Sequence, residues 1–174
     1  MFGWEFPPHI TGGLGTACYG LTRALARQDV EIRFVVPKAW GDEDDSAVRL
    51  LGAGDVEIST SDPDFLEFWK KITYMEIGSG LLPYISPETF RKMAEEKPNE
   101  NRDELEKHVL SARFEFSGKY GSDLLAEVSR YALVAGSLAG TEDFDVIHAH
   151  DWPTYPAGIA AAKVSGKPLV VHIH

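Results

Sequence analysis

Asp145–Pro153 (Asp-Val-Ile-His-Ala-His-Asp-Trp-Pro) and Pro168–His174 (Pro-Leu-Val-Val-His-Ile-His) are the two stretches that decide the fold. Each is an apolar run that carries a His-x-His at its end, and an alanine-rich segment separates the two. Such runs are typical of buried parallel strands, and polar groups at the carboxyl ends of these strands open into the crevice where parallel α/β sheets bind ligands. We therefore expect the chemistry of the chain at these two strand ends.

A glycine turn near the start of the chain is the second informative feature. Thr-Gly-Gly-Leu-Gly at 11–15 follows a short apolar stub, and apolar residues then recur at helical spacing as far as residue 27. Glycines let a backbone approach an anion closely, and the free amides at a helix start point toward it. Gly12, Gly13 and Gly15 are therefore candidates to bind a phosphate group, with a plain structural turn as the alternative. The spacing matches neither the dinucleotide fingerprint nor the P-loop.

The remaining pattern predicts alternating strands and helices. Val30–Pro37 is short, β-branched and closed by proline, which favours a strand. The polar stretch 38–54 is predicted as a loop with a solvated acidic run at 42–45, and residues 56–59 as an edge strand. Apolar spacing predicts helices over 61–72, 87–97, 102–116, 120–139 and 153–165, and strands over 145–149 and 169–174.

Composition excludes several classes of protein. The 174 residues suit one domain, and the net charge of −10 argues against a groove that binds nucleic-acid phosphates, since that requires a basic face. Cys18 is the single cysteine, so it has no disulfide partner within the chain. Neither a signal peptide nor an apolar run of membrane-spanning length occurs, which predicts a cytoplasmic location. Both ends look truncated, because the first strand is a stub and the last one stops at its polar tip.

The histidines of the two strands admit a metal-binding interpretation. Residues two apart on a strand project to the same face about 7 Å apart, so His148, His150, His172 and His174 could together hold zinc if the strands are neighbours. A buried histidine held by hydrogen bonds is the alternative for His148. The pattern of binuclear hydrolases would need an aspartate at the position of Trp152. We therefore assign no metal ligand and expect no cofactor.

Three stretches resemble the N-terminal half of the glycogen and starch synthase-like retaining glycosyltransferases: Glu5–Ala17, Asp145–Trp152 and Thr154–Ile159. The resemblance implies an α/β fold with a Rossmann-like, doubly wound and mainly parallel sheet covered by helices on both faces. It further implies that residues 1–174 are a single acceptor-side domain, one half of a two-domain GT-B enzyme whose C-terminal, donor-binding domain is absent from this chain.

The resemblance also assigns roles to residues. Gly12, Gly13 and Gly15 would meet the donor diphosphate and the transferred sugar, although Ile10 stands where bacterial members often have a lysine. Asp151 matches the aspartate of the family's His-Asp-Trp motif, and His174 matches the histidine that lies beside the transferred sugar, with His172 as the second choice. Asp151 and His174 are thus the predicted catalytic residues. The further substrate-binding candidates are His9, His150, Trp152, His172 and Tyr120.

The function implied is transfer of glucose from a nucleotide sugar, ADP-glucose or UDP-glucose, to an α-glucan with retention of configuration. Because the donor would have few contacts without a second domain, we expect the isolated chain to be inactive. Two alternatives stay open at this stage: a glucan- or partner-binding module without catalysis, and a metal-dependent hydrolase.

Overall fold

A computed structural model describes residues 1–58 and 113–174, and Met1–Ile58 with Arg113–His174 form one compact unit. The helices predicted over 61–72 and 87–97, and most of the one predicted over 102–116, lie outside the described residues. The regular elements of the described part follow in chain order: α1 Gly13–Ala26, β1 Arg33–Val36, β2 Arg49–Gly52, α2 Leu124–Thr141, β3 Ile147–His150, α3 Tyr155–Ser165 and β4 Leu169–His172.

The strands form small parallel sheets. β1 pairs with β2 in parallel, and β3 pairs with β4 in parallel with His150 directly opposite His172. Phe2 forms parallel bridges with Val35 of β1 and with Ala149 of β3, so the short stub at the start of the chain lies between the two pairs. Parallel strand pairs together with helices, one of which (α3) joins β3 to β4, confirm the predicted α/β class.

The helices contact the strands from two sides. Cys18 of α1 packs in an apolar cluster with Phe34 and Val36 of β1. Tyr131 of α2 packs edge to face against Phe2, which pairs with Val35, the residue between Phe34 and Val36. The Tyr131 hydroxyl donates to the Val35 carbonyl at 2.6 Å. Because side chains alternate between the faces of a strand, α1 and α2 cover opposite sides of this part of the sheet.

Close packing of α3 on β3 and β4 depends on a glycine. A Cβ atom at Gly158 would lie 2.8 Å from Leu169 and 2.9 Å from Ala149, closer than real side-chain contacts. The helix ends at Gly166, whose φ of +70° is the left-handed conformation that glycine adopts without cost. The glycines of this alanine-rich segment therefore fix both the position and the end of α3.

Three of the predictions are wrong in whole or in part. The stretch predicted as a loop contains β2, and Val56–Ile58, predicted as part of an edge strand, is not a strand. Residues 113–116, the end of the helix predicted over 102–116, are not helical: Phe114 and Phe116 are buried while Glu115 is exposed, the alternation of an extended segment. The predicted helical face included Phe116 but not Phe114, whereas burial of both residues follows the period of two of an extended segment.

Several predictions are confirmed. The acidic run Asp42–Asp45 is irregular, and its three aspartates are exposed. The helices predicted after the glycine turn and over 120–139 and 153–165 exist with shifted ends, α3 being preceded by a short 3-10 turn at Trp152–Thr154. Within residues 1–58 and 113–174, every helix is too short or too polar to span a bilayer.

Candidate functional site

The strand ends bring four imidazole rings together, as the two His-x-His patterns predicted. The rings of His148 and His150 are 4.1 Å apart between centroids, and those of His172 and His174 are 4.3 Å apart. Across the strands, His148 and His172 are stacked with an interplanar angle of 4° at 5.4 Å, and His150 Nδ1 lies 3.2 Å from His174 Nε2. Parallel pairing in register is the cause, because it places His150 beside His172.

Burial lowers the pKa values of three of these rings, those of His148, His150 and His174. His150 is completely buried, and desolvation, reinforced by the neighbouring imidazoles His148, His174 and His172, lowers its pKa to about 3. The pKa of His148 is lowered by the same two causes. Burial and His172 also lower the pKa of His174, while the Asp151 carboxylate acts in the opposite direction. At neutral pH each of these three rings therefore presents a nitrogen lone pair.

Two of the ring nitrogens have no hydrogen-bond partner within residues 1–58 and 113–174. These are His148 Nε2 and His150 Nε2, which are buried, although buried polar atoms are satisfied in the large majority of cases. Such an unmade hydrogen bond costs about 1–3 kcal/mol. The strand ends are thus an incompletely satisfied polar cluster.

Asp151 follows β3 in a conformation that side chains rarely adopt. Its φ of +64° and ψ of 164° fall in a region occupied almost only by glycine. Thr154, fully buried, holds the turn: its hydroxyl donates to the carbonyls of His150 at 2.9 Å and of Asp151 at 3.0 Å. The Asp151 amide donates to the His172 carbonyl at 2.8 Å, which ties the turn to β4.

Thr154 was not among the sequence candidates. A hydroxyl residue three positions after the aspartate, just before a helix, is the signal that indicates a side-chain cap of a turn. Strained non-glycine residues cluster at ligand sites, so the geometry of Asp151 supports its selection as a candidate.

The glycine turn is organised by a carboxylate. Glu5, nearly buried, accepts hydrogen bonds from the Thr11 amide at 2.9 Å, from the Thr11 hydroxyl at 2.8 Å and from the Gly15 amide at 3.2 Å. Negative charge at a helix amino terminus is favourable because it meets the free amides and the positive end of the helix dipole. Glu5 was not predicted as a functional residue, and it holds the turn from inside the fold.

The three glycines of the turn differ in their surroundings. A Cβ at Gly15 would lie 2.3 Å from Ile10 Cγ2 and 3.2 Å from Glu5 Cγ, so this glycine is required by internal packing. A Cβ at Gly12 or Gly13 would meet nothing within 4 Å. Neither glycine has a positive φ. Gly12 and Gly13 therefore leave open space at the start of α1 that no described residue fills.

The start of α1 and the strand ends lie at the same edge. Cys18 Sγ, a His150 ring nitrogen and a His174 ring nitrogen lie within 4.8 Å of one another. The Cys18 thiol is not a nucleophile here, since burial and, after it, the Glu5 charge raise its pKa to about 12. The glycine turn and the strand-end histidines thus border one region.

His9, Tyr120 and Trp152 occupy different positions. His9 Nε2 lies 2.6 Å from Asp42 Oδ1 and its ring stacks on Trp40 at 4.8 Å, so among the described residues it joins this surface cluster and not the strand-end rings. Tyr120 is half exposed and its ring lies 6.2 Å from that of Trp4. Trp152 begins the 3-10 turn beside Asp151 and is partly exposed.

Three groups of side chains in the described ranges have the proximity that a metal ion needs. They are His148 with His150 and His172, Cys18 with His150 and His174, and His9 with Asp42 and Glu43, and within each group the ligand atoms lie within 4.8 Å of one another. The third group is largely exposed, and its acidic members are what any solvated acidic loop offers.

Comparison with known proteins gives one match. A search of curated proteins and a search of solved structures each found no match to this chain. The family model described as the starch synthase catalytic domain matches residues 1–174, the whole sequence. Membership implies a glycosyltransferase domain, which agrees with the resemblance read from the glycine turn and the histidine strands. The chain therefore belongs to the starch synthase catalytic domain family.

Proposed function

We propose that residues 1–174 are the acceptor-side half of a retaining GT-B glycosyltransferase that transfers glucose from ADP-glucose or UDP-glucose to an α-glucan. In this proposal the parallel strands belong to a Rossmann-like, doubly wound sheet, and a C-terminal domain outside these residues supplies most contacts to the donor. The enzyme would act in the cytoplasm. Family membership supports the reaction class, and the shared edge of α1, β3 and β4 supports the location of the site.

One observation carries the proposal: the open space over Gly12 and Gly13 lies at the start of the helix whose Cys18 is beside His150 and His174. An anion over the two glycines would face the amides at the start of α1. A sugar attached to that anion would extend toward the strand ends, where Asp151 and His174 are placed. Phosphate and sugar would then each meet groups suited to them.

The proposed reaction places opposite charges at opposite ends of this region. As the bond between the anomeric carbon and the phosphate oxygen breaks, negative charge develops on the diphosphate and positive charge on the sugar. The α1 amides would stabilise the first, and the Asp151 carboxylate with the neutral His174 ring would suit the second. The acceptor hydroxyl forms the new bond on the same face, and its proton passes to the leaving phosphate oxygen.

The proposal is tested by comparing two polypeptides, the 174-residue chain and the polypeptide encoded by the whole gene. We expect the whole polypeptide to transfer radiolabelled glucose from ADP-glucose or UDP-glucose to glycogen, and the 174-residue chain to transfer none. Asp151→Asn and His174→Gln in the whole polypeptide are expected to lower kcat by about 10²-fold or more, the scale for losing a group that stabilises transition-state charge.

Other outcomes would contradict the proposal in separate ways. Transfer by the 174-residue chain alone would show that this half contains a complete site. Calorimetry that detects maltooligosaccharide binding, with no transfer by the whole polypeptide, would favour the alternative of a glucan-binding module without catalysis.

A further inference from the structure

The strand-end histidines have a geometry that sugar binding does not require. Three of them, His148, His150 and His172, form what we call the histidine trio. Two come from one strand and the third from its parallel neighbour, in the register that sets His150 opposite His172. Their ligand atoms lie within 4.8 Å of one another.

We propose that the histidine trio is a binding site for a zinc-class transition-metal dication. Nitrogens bound to one zinc at ~2.0–2.1 Å lie about 3.3 Å apart in a tetrahedron, a separation that imidazole rotations of modest size reach from the present one. The rings stand on two hydrogen-bonded strands, which hold their Cα atoms at fixed separations. The fourth position would be open to water, as in zinc sites with three protein ligands.

The unpaired nitrogens are an independent observation in favour of a ligand. Nε2 of His148 and Nε2 of His150 are both buried and have no hydrogen-bond partner among the described residues, and His150 is fully buried. A metal ion would accept the lone pairs of these atoms, which the protein itself leaves unused. Buried polar groups in native proteins normally have a partner, so an additional ligand at this position accounts for them.

The donor set selects the class of ion. Three imidazoles without a carboxylate or thiolate suit zinc, nickel, copper and cobalt, whereas magnesium and calcium require oxygen ligands. Cys18 offers a competing set with His150 and His174. It is fully buried in the apolar cluster around Phe34, so the trio is the set we favour.

The test is calorimetric titration of zinc chloride into the full 174-residue chain after removal of metals with EDTA, with magnesium chloride as the negative probe. We expect one zinc per chain, with micromolar affinity, and no magnesium binding. His148→Gln and His172→Gln should each weaken zinc binding by more than the roughly 10–100-fold caused by losing an outer-shell partner. Glu57→Gln changes an exposed side chain that belongs to none of the three ligand groups and should leave the affinity unchanged.

Cobalt substitution distinguishes the two ligand sets in the unmutated chain, so the answer does not depend on whether a variant folds. Nitrogen ligation predicts visible absorption bands without a sulfur-to-cobalt charge-transfer band in the near ultraviolet. That band, or loss of zinc binding in Cys18→Ser with retention in His148→Gln, would overturn the assignment to the trio. Absence of zinc binding, or binding unaffected by both trio variants, would overturn the site itself. The inference does not depend on the proposed glucosyl transfer.

Discussion

The start of α1 and the ends of β3 and β4 lie at one edge of the molecule, yet their polar groups are treated in opposite ways. At the glycine turn, the buried Glu5 carboxylate accepts three hydrogen bonds. At the strand ends, His148 and His150 each keep a buried nitrogen without a partner. At the glycine turn the carboxylate is fully engaged, and the open space lies over Gly12 and Gly13. At the strand ends, two buried ring nitrogens can still form a bond to a ligand. The glycine turn thus supplies rigidity, and the neighbouring strand ends supply groups that can bind a ligand.

The largest effect is expected from removing the carboxylate that organises the glycine turn. Glu5→Ala leaves the amides of Thr11 and Gly15 without their acceptor, and each charge-assisted hydrogen bond contributes about 1.5–3 kcal/mol. We expect the free energy of unfolding to fall by about 3 kcal/mol, measured by urea denaturation. Glu57→Ala, at an exposed glutamate, is the matched control and should change it by less than ~0.5 kcal/mol. Equal effects of the two variants would contradict this role of Glu5.

Alanine substitutions at a packed and at an open glycine of the turn should change the free energy of unfolding in opposite directions. Gly15→Ala forces a methyl against Ile10 and should destabilise the chain by about 1–3 kcal/mol. Gly13→Ala, in the first turn of α1 with open space around it, should stabilise the chain by about 0.5–1 kcal/mol, because alanine favours the helix. Thermal and urea unfolding measure both. In the whole polypeptide, Gly13→Ala is nevertheless expected to impair glucosyl transfer. Destabilisation by Gly13→Ala would mean that its surface is covered within the chain.

The strain at Asp151 also predicts a gain in stability, when the aspartate is replaced by glycine. Asp151→Gly releases a backbone conformation that costs about 1–3 kcal/mol for a side-chain-bearing residue, so we expect unfolding to become harder by about 1 kcal/mol. The matched control is Asp29→Gly, since Asp29 also has a positive φ, of 59°, beyond the end of α1. Transfer by the whole polypeptide should be lost in the Asp151 variant alone. Loss of stability in Asp151→Gly would show that its side chain stabilises the turn more than the strain costs.

The smallest effect is expected at His9. Its contacts with Asp42 and Trp40 are on the surface, where a side-chain hydrogen bond contributes about 1 kcal/mol or less. His9→Ala should therefore change the free energy of unfolding by less than ~1 kcal/mol, measured by urea denaturation. A larger change would show that His9, like Glu5, stabilises the glycine turn.

Local pattern predicted those elements whose periodicity agrees with their burial. The helix α2 and the strands β1, β3 and β4 were predicted from apolar spacing, with ends that differ by a few residues. β2 was not, because Arg49-Leu-Leu-Gly lacks the β-branched residues that the other strands contain, and it becomes a strand by pairing with β1. A short segment whose state is set by a partner distant in sequence carries little local signal.

The site shows the same division. That four imidazoles would meet was predictable, since two His-x-His patterns on neighbouring parallel strands share an edge and a face. The hydrogen bond from the Gly15 amide to Glu5 was not predictable, because its partners are ten residues apart and most of the backbone between them is irregular. Nor does a sequence reveal that Asp151 adopts a backbone conformation suited to glycine.

The Phe2 side chain has no role in the proposed chemistry, yet the backbone hydrogen bonds of Phe2 fix the position of the histidines. Its amide donates to the His148 carbonyl at 2.8 Å and its carbonyl accepts from the His150 amide at 3.0 Å, while the neighbouring Gly3 amide donates to Val35 at 3.0 Å. A strand that slips by one residue turns every side chain to the opposite face. The backbone register at Phe2 therefore determines whether the imidazoles face α1 or are hidden beneath α3. The site therefore depends on the register of backbone hydrogen bonds as much as on the histidine side chains.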